Sequence, residues 1–119
     1  GGNPLVSRAS LATINAIESD SLIDRATFIG NAIAQGLRTN FSDEASIVDI
    51  RNKGLMIGIE LDRPCVSIVD HALEAGLLLN VTADSVIRLL PPLILDDEQI
   101  KFLIERLTTV INKFLEESK

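Results

Sequence analysis

The sequence predicts an α+β fold, a small, mostly antiparallel sheet of about four strands covered by helices, in the order ααββαββα. Three observations predict it. Apolar residues recur with the 3.6-residue period of a helix near both ends of the chain. Between residues 47 and 90 that texture gives way to short runs of period two. Gly, Pro, Asn and Asp punctuate these runs at hairpin-like intervals. A length of 119 residues suits one domain, 1–119, with 1–20 as a linking helix region.

Pro4 opens the first helical pattern, in which Leu5, Ala9, Ala12 and Ala16 share a face. Glu18-Ser19-Asp20 reads as a break, and Ser21 as the N-cap of a second helix with Asp24 three residues on. That helix carries Leu22, Ala26, Ile29, Ile33 and Leu37 on one stripe, and Gly30 and Gly36 allow close packing. Ile47 to Arg51 and Leu55 to Leu61 then read as a hairpin turning through Asn52-Lys53-Gly54. Leu55, Ile57, Ile59 and Leu61 face one way, and Met56, Gly58 and Glu60 the other.

Pro64 suits the first turn of a helix that presents Cys65, Val69, Ala72 and Leu73 inward and stops at Gly76. Leu77 to Val81 and Val86 to Leu90 form a second strand pair around Thr82-Ala83-Asp84-Ser85, and Pro91-Pro92 ends it. Asp96 caps the last helix with Gln99 at N3, and Asp97 and Glu98 suit the dipole of its first turn. Ile100, Leu103, Leu107, Ile111 and Phe114 make its seam, reinforced by Ile104 and Leu115.

Composition excludes several classes of function. Hydrophobic residues make up 46% of the chain, too many for a disordered, solvated polymer. The net charge is −6, and no basic stripe exists to neutralise phosphates, so nucleic acid is not an expected partner. No apolar run approaches the ~20 residues of a membrane span, and no signal-peptide pattern is present. The single cysteine, Cys65, excludes an internal disulfide and a Cys-based zinc site, and a lone thiol suits a reducing cytoplasm. The chain opens Gly1-Gly2-Asn3-Pro4 without methionine, which reads as a piece of a longer protein.

Few residues carry chemistry. The one histidine, His71, lies in a helix with no nucleophile motif nearby and reads as an ordinary helix residue. Cys65 reads as a small buried apolar side chain, although a helical first turn can activate a thiol. Helix capping explains Asp96-Asp97-Glu98 without a cation, and no His, Cys and carboxylate cluster has metal-ligand spacing. Arg88 stands apart. It lies in Val86-Ile87-Arg88-Leu89-Leu90-Pro91-Pro92-Leu93, on the face opposite Ile87 and Leu89 and in line with Val86 and Leu90. A guanidinium among so much hydrocarbon takes water, a structural carboxylate partner or an anionic ligand, and the pattern alone leaves these open.

Four segments, in order, resemble a known family: Gly1-Gly2-Asn3-Pro4-Leu5, Gly54-Leu55-Met56-Ile57-Gly58-Ile59-Glu60-Leu61, Gly76-Leu77-Leu78-Leu79-Asn80 and Val86 through Leu93. Together they look like the C-terminal part of a class III, pyridoxal-phosphate-dependent aminotransferase, nearest its acetylornithine branch. The resemblance implies the small C-terminal domain of fold type I, with the large domain of the same polypeptide as its partner, in a cytoplasmic homodimer. It implies amino transfer to 2-oxoglutarate, giving glutamate, in arginine and lysine biosynthesis. The Gly-Gly-Asn-Pro loop follows, in the family, a threonine that binds the cofactor phosphate, which would precede Gly1. The Schiff-base lysine and the acid partner of the pyridine nitrogen also lie upstream. The resemblance therefore assigns no catalytic, cofactor-binding or metal-binding residue to this chain, which alone is expected to be inactive and without bound pyridoxal 5'-phosphate.

One functional position is implied. The family's arginine in Arg-Leu-Leu-Pro-Pro, here Arg88, anchors a substrate α-carboxylate, and in related enzymes it pairs with a large-domain glutamate when other substrates are bound. Gly58 and Met56 read as structural. Ala83-Asp84-Ser85 matches a hairpin that approaches the active site and carries no assigned role. Beside this reading stand a self-contained amino-acid-binding regulatory module, a ligand-free dimerisation domain, and the ornithine or 4-aminobutyrate branches of the family. Part of the apolar excess is expected on the surface, in a patch that makes the isolated chain associate.

Overall fold

The computed structural model describes the backbone of residues 8–118 and the side chains of residues 21–118. The Gly1–Leu5 motif and the side-chain stripe Ala9, Ala12 and Ala16 lie outside the described residues. Three helices and a four-stranded sheet follow one another as αββαββα. The α+β class and the helix-covered antiparallel sheet are as the sequence predicts.

The N-terminal boundary differs. Helix α1 runs unbroken over Arg8–Asn40, so the two predicted N-terminal helices are one, and Ser21 lies inside it rather than capping it. Glu18, Ser19 and Asp20 include no Gly or Pro, and each costs the helix only about 0.5 kcal/mol relative to Ala. A break there would create two new ends, each with four unpaired backbone groups. Continuation is the smaller cost.

The first hairpin pairs β1 (Ile47–Lys53) with β2 (Met56–Leu61). Its turn is Gly54-Leu55 rather than 52–54, since Lys53 pairs with Met56. Gly54 has φ +55 at the first central position, where a type II′ turn takes glycine. The second hairpin pairs β3 (Asn80–Thr82) with β4 (Val86–Leu89). Between the hairpins runs α2 (Ile68–Glu74), and the chain ends in α3 (Asp97–Glu117). The sheet order is β1-β2-β4-β3, so β2 and β4, far apart in sequence, pair at its centre.

Alternation then sorts the sheet into two faces. Ile50, Ile57, Ile59, Leu61, Ile87 and Leu89 are buried on the inner face. Ile29, Ile33 and Leu37 of α1 meet them, with Leu107, Ile111 and Phe114 of α3, in one continuous core. Leu22, predicted on the buried stripe, is instead exposed. Gly36 brings α1 against Ile104 of α3, as close helix packing requires, whereas Gly30 meets the Gly54 carbonyl of the hairpin turn.

Helix α2 starts later than predicted, and its inward set is Ile68 and Ala72, with Leu73 outside and Cys65 buried in the segment before it. Pro64 precedes the helix rather than joining its first turn. The predicted stop at Gly76 holds: φ is +83, and Gly76 and Leu77 donate to the carbonyls of Leu73 and Ala72 in a Schellman arrangement. The predicted capping box of α3 is also present, Gln99 N–H donating to Asp96 at 2.8 Å and Asp96 N–H to Gln99 Oε1 at 2.9 Å.

Candidate functional site

The helices cover one face of the sheet, and the functional candidate lies on the other. Ile87 and Leu89 of β4 point into the core, so Arg88 between them points out, in line with half-buried Val86 and exposed Leu90. Pro91-Pro92 follows directly and lacks the N–H groups a continuing strand needs. Arg88 therefore stands near the end of a short strand held on both sides, by β2 and by β3. Among the described residues its side chain has no ion-pair or hydrogen-bond partner.

Strand register places four residues in one row across the open face. Arg51 is opposite Gly58, Gly58 opposite Arg88, and Arg88 opposite Asn80. The missing side chain at Gly58 leaves a trough between the two arginines. Arg51 lies along its edge, its Cγ and Nε each 3.5 Å from where a Cβ on Gly58 would sit. An open concavity of about 480 Å³ fills this trough, lined by Arg51, Lys53, Met56, Gly58, Thr82 and Arg88. A second, of about 470 Å³, lies on the other side of Arg88 against Met56, Leu78, Leu79, Asn80 and Leu90. The arginine thus stands between a hollow bordered by Arg51 and Lys53 and one bordered by Leu78, Leu79, Asn80 and Leu90.

Charge on this face is organised by Arg51. Its Nη1 contacts Asp49 Oδ2 at 2.9 Å and Glu60 Oε1 at 3.3 Å. These hydrogen bonds to two carboxylates raise its pKa above the ordinary guanidinium value. Arg51, Asn80 and Thr82 carried no functional role from sequence, and Thr82, read there as the start of the turn, is the last residue of β3 paired with Val86. Alternation places Arg51 on a strand face, but its place beside Arg88 depends on the β2–β4 pairing, for which no local signal exists.

The other candidates lie elsewhere. Cys65 is buried in the core, and burial raises its thiol pKa, so it stays protonated and behaves as a small apolar side chain. His71 Nε2 meets Glu117 at 3.3 Å and ties α2 to α3. Asp96 is engaged in its capping box. The turn Ala83-Asp84-Ser85 borders the hollow beside Arg51 and Lys53 through Ala83. Ala83 and Asp84 both hold left-handed φ values, +50 and +66, which cost a non-glycine residue roughly 1–2 kcal/mol each. Backbone hydrogen bonds fix this turn, from Cys65 N–H to Asp84 O at 2.7 Å and from Leu61 N–H to Ser85 O at 2.9 Å.

No cluster of three metal-ligating side chains occurs among the described residues. The N-terminus of α3 is already occupied by the Asp96 carboxylate and followed by Asp97 and Glu98, which would repel an anion, so it is not a phosphate site. What the open face offers is two guanidinium groups, Arg51 held by Asp49 and Glu60, and Arg88 without an ion pair among the described residues.

The sequence profile of the family described as aminotransferase class-III matches residues 1–111. Acetylornithine aminotransferase 1 of Bordetella pertussis is 44% identical over 115 residues, which are 97% of this chain and 29% of that protein. Ornithine aminotransferase of Bacillus cereus is 33% identical over 112 residues, 94% of this chain and 28% of its own length. The crystal structure of N-acetylornithine aminotransferase from Stenotrophomonas maltophilia superposes with a TM-score of 0.76 at 26% identity, covering 98% of this chain and 33% of that one. The chain thus spans about 29% of the length of the curated relative from Bordetella pertussis. With its sheet, its helical cover and its profile match in agreement, the chain belongs to the class-III aminotransferase family.

Proposed function

We propose that this chain is the C-terminal small domain of a pyridoxal-phosphate-dependent aminotransferase of the acetylornithine branch, and that Arg88 holds a substrate α-carboxylate. One observation carries the reading: an outward arginine whose side chain has no ion-pair partner among the described residues, on a central strand, between two open hollows. Family membership supplies the chemical context, and two curated relatives are named for acetylornithine and ornithine as amino donors. The amino acceptor in this proposal is 2-oxoglutarate, which leaves as glutamate. The cofactor, held by the rest of the polypeptide, supplies the electron sink for bond-breaking at Cα.

The part played by this chain is binding and orientation. The planar fork of Arg88 takes both oxygens of a carboxylate, which fixes the rotation of the attached carbon. Strand pairing on both sides of β4 keeps the fork in place. Leu78, Leu90 and Met56 beside it lower the local dielectric once the face is covered, which strengthens the pairing. The large domain and a second subunit are the partners in this proposal, in the cytoplasm.

The test uses the full-length polypeptide, loaded with cofactor. Arg88→Ala is expected to raise KM for glutamate and 2-oxoglutarate about 10- to 100-fold, as loss of a charge-assisted bidentate contact does. The half-reaction with acetylornithine, followed by the change in cofactor absorbance, is expected to suffer less. Equal loss in both half-reactions, or none, overturns the role. Running acetylornithine, succinyldiaminopimelate, ornithine and 4-aminobutyrate side by side identifies the amino donor.

A further inference from the structure

Glu60 lies on the central strand β2, two residues along the same face from Gly58. Because Gly58 is opposite both Arg51 and Arg88, Glu60 is a diagonal neighbour of each arginine, one on either side. Diagonal positions lie ~7–8 Å apart between Cβ atoms, within reach of Glu and Arg side chains. Two guanidiniums thus flank one carboxylate, and the structure shows which has it. Glu60 Oε1 contacts Arg51 Nη1 at 3.3 Å, and the same Nη1 holds Asp49 at 2.9 Å. Asp49 and Glu60 are the two carboxylates that β1 and β2 place on this face, and Arg51 engages both.

We propose that Arg51 is a positioning residue for carboxylate binding: it sequesters Glu60 and thereby keeps Arg88 available to the substrate. The proposal rests on the carboxylate role of Arg88. Without Arg51, Glu60 turns to the remaining arginine and competes with the incoming carboxylate as an internal anion. An intramolecular competitor one strand away acts at high effective concentration, so even a weak surface ion pair affects binding. Gly58 leaves the space between the arginines open; a Cβ there would meet Arg51 Cγ and Nε at 3.5 Å, in ordinary contact, and a longer side chain would stand between the two guanidiniums.

The experiment measures steady-state kinetics of the cofactor-loaded, full-length polypeptide with glutamate and 2-oxoglutarate. Arg51→Gln is expected to raise KM for both about three- to fivefold, the range an exposed ion pair spans, with kcat retained. Arg51→Lys is expected to stay within about twofold of the parent, because one nitrogen makes both contacts and an ammonium can replace it. Adding Glu60→Gln to Arg51→Gln is expected to restore KM. Adding Asp49→Asn instead restores the same net charge but leaves Glu60 loose, and KM is expected to stay raised. Rescue by both second substitutions would show a bulk charge effect and overturn the proposal, as would rescue by neither. An Arg88→Ala variant run in parallel separates the two readings. If it leaves dicarboxylate KM unmoved, the role of Arg88 fails. If it raises KM while Arg51→Gln does not, only the role of Arg51 fails.

Discussion

Gly30 and Gly36 lie six residues apart on α1, yet a methyl group added to each meets a different obstacle. At Gly30 the new Cβ overlaps the Gly54 carbonyl oxygen, and Gly54 itself is fixed by the hairpin turn. At Gly36 it comes within 2.6 Å of Ile104 Cδ1, the far end of a flexible side chain. Backbone cannot yield as a rotamer can. Gly30→Ala is therefore expected to cost about 2–3 kcal/mol, the range of overpacking that forces a backbone shift. Gly36→Ala gains up to about 1 kcal/mol of helix propensity, which offsets most of the strain at Ile104. Urea unfolding of the two variants beside the parent checks the ranking, and equal midpoints would contradict it. The sequence reading assigned both glycines to close helix packing. Only Gly36 has that role, because a glycine shows where a backbone comes close without showing what approaches. Arg88 was more legible: strand alternation alone sets it opposite Ile87 and Leu89, and no tertiary information was needed.

The elements divide by how local their determinants are. Helix α3 matches its sequence signature from cap to seam, since capping box and apolar period are written within 21 residues. The same locality makes it testable. Asp96→Ala removes the acceptor for Gln99 N–H, while the backbone N–H of residue 96 can still donate to Gln99 Oε1, so half of the capping box is lost. About 1 kcal/mol of stability is expected to go with it, read as a lower urea midpoint at unchanged slope. Asp96→Asn, which keeps the acceptor, is expected to lose little. The N-terminal helix was misread where polar residues 18–20 suggested a break, because polarity is a weak breaker when Gly and Pro are absent. The hairpins were legible and their junction was not. Nothing within β2 or β4 announces that they pair across α2, yet that pairing sets Arg51, Gly58, Arg88 and Asn80 in one row. The site was therefore half legible: Arg88 from the strand period, Arg51 only from the sheet.

At the scale of the whole molecule, the two faces of the sheet have unequal cover. Helices α1 and α3 close the inner face, while the outer face carries Arg51, Arg88, Asn80 and Met56 without any described element over it. Large apolar side chains stand exposed next to this face or on the helices: Leu78 at 81%, Leu90 at 64%, Ile94 at 88% and Phe28 at 50%. Leu78 and Leu90 line the hollow beside Arg88, so part of this apolar surface is continuous with the candidate site. Single exposed apolar residues are common on soluble proteins, but a cluster beside an open sheet face is a contact surface. The isolated 12.9 kDa chain is accordingly expected to associate as its concentration rises, its apparent mass by light scattering climbing above the monomer value. Replacing Leu78 and Ile94 together by Asp is expected to return it to monomer while leaving the circular dichroism spectrum unchanged, since neither side chain belongs to the core. The net charge of −6 works in the other direction, and high salt, by screening it, is expected to strengthen association rather than dissolve it. A strictly monomeric species at all concentrations and salt levels would mean that the exposed apolar face is satisfied by water alone.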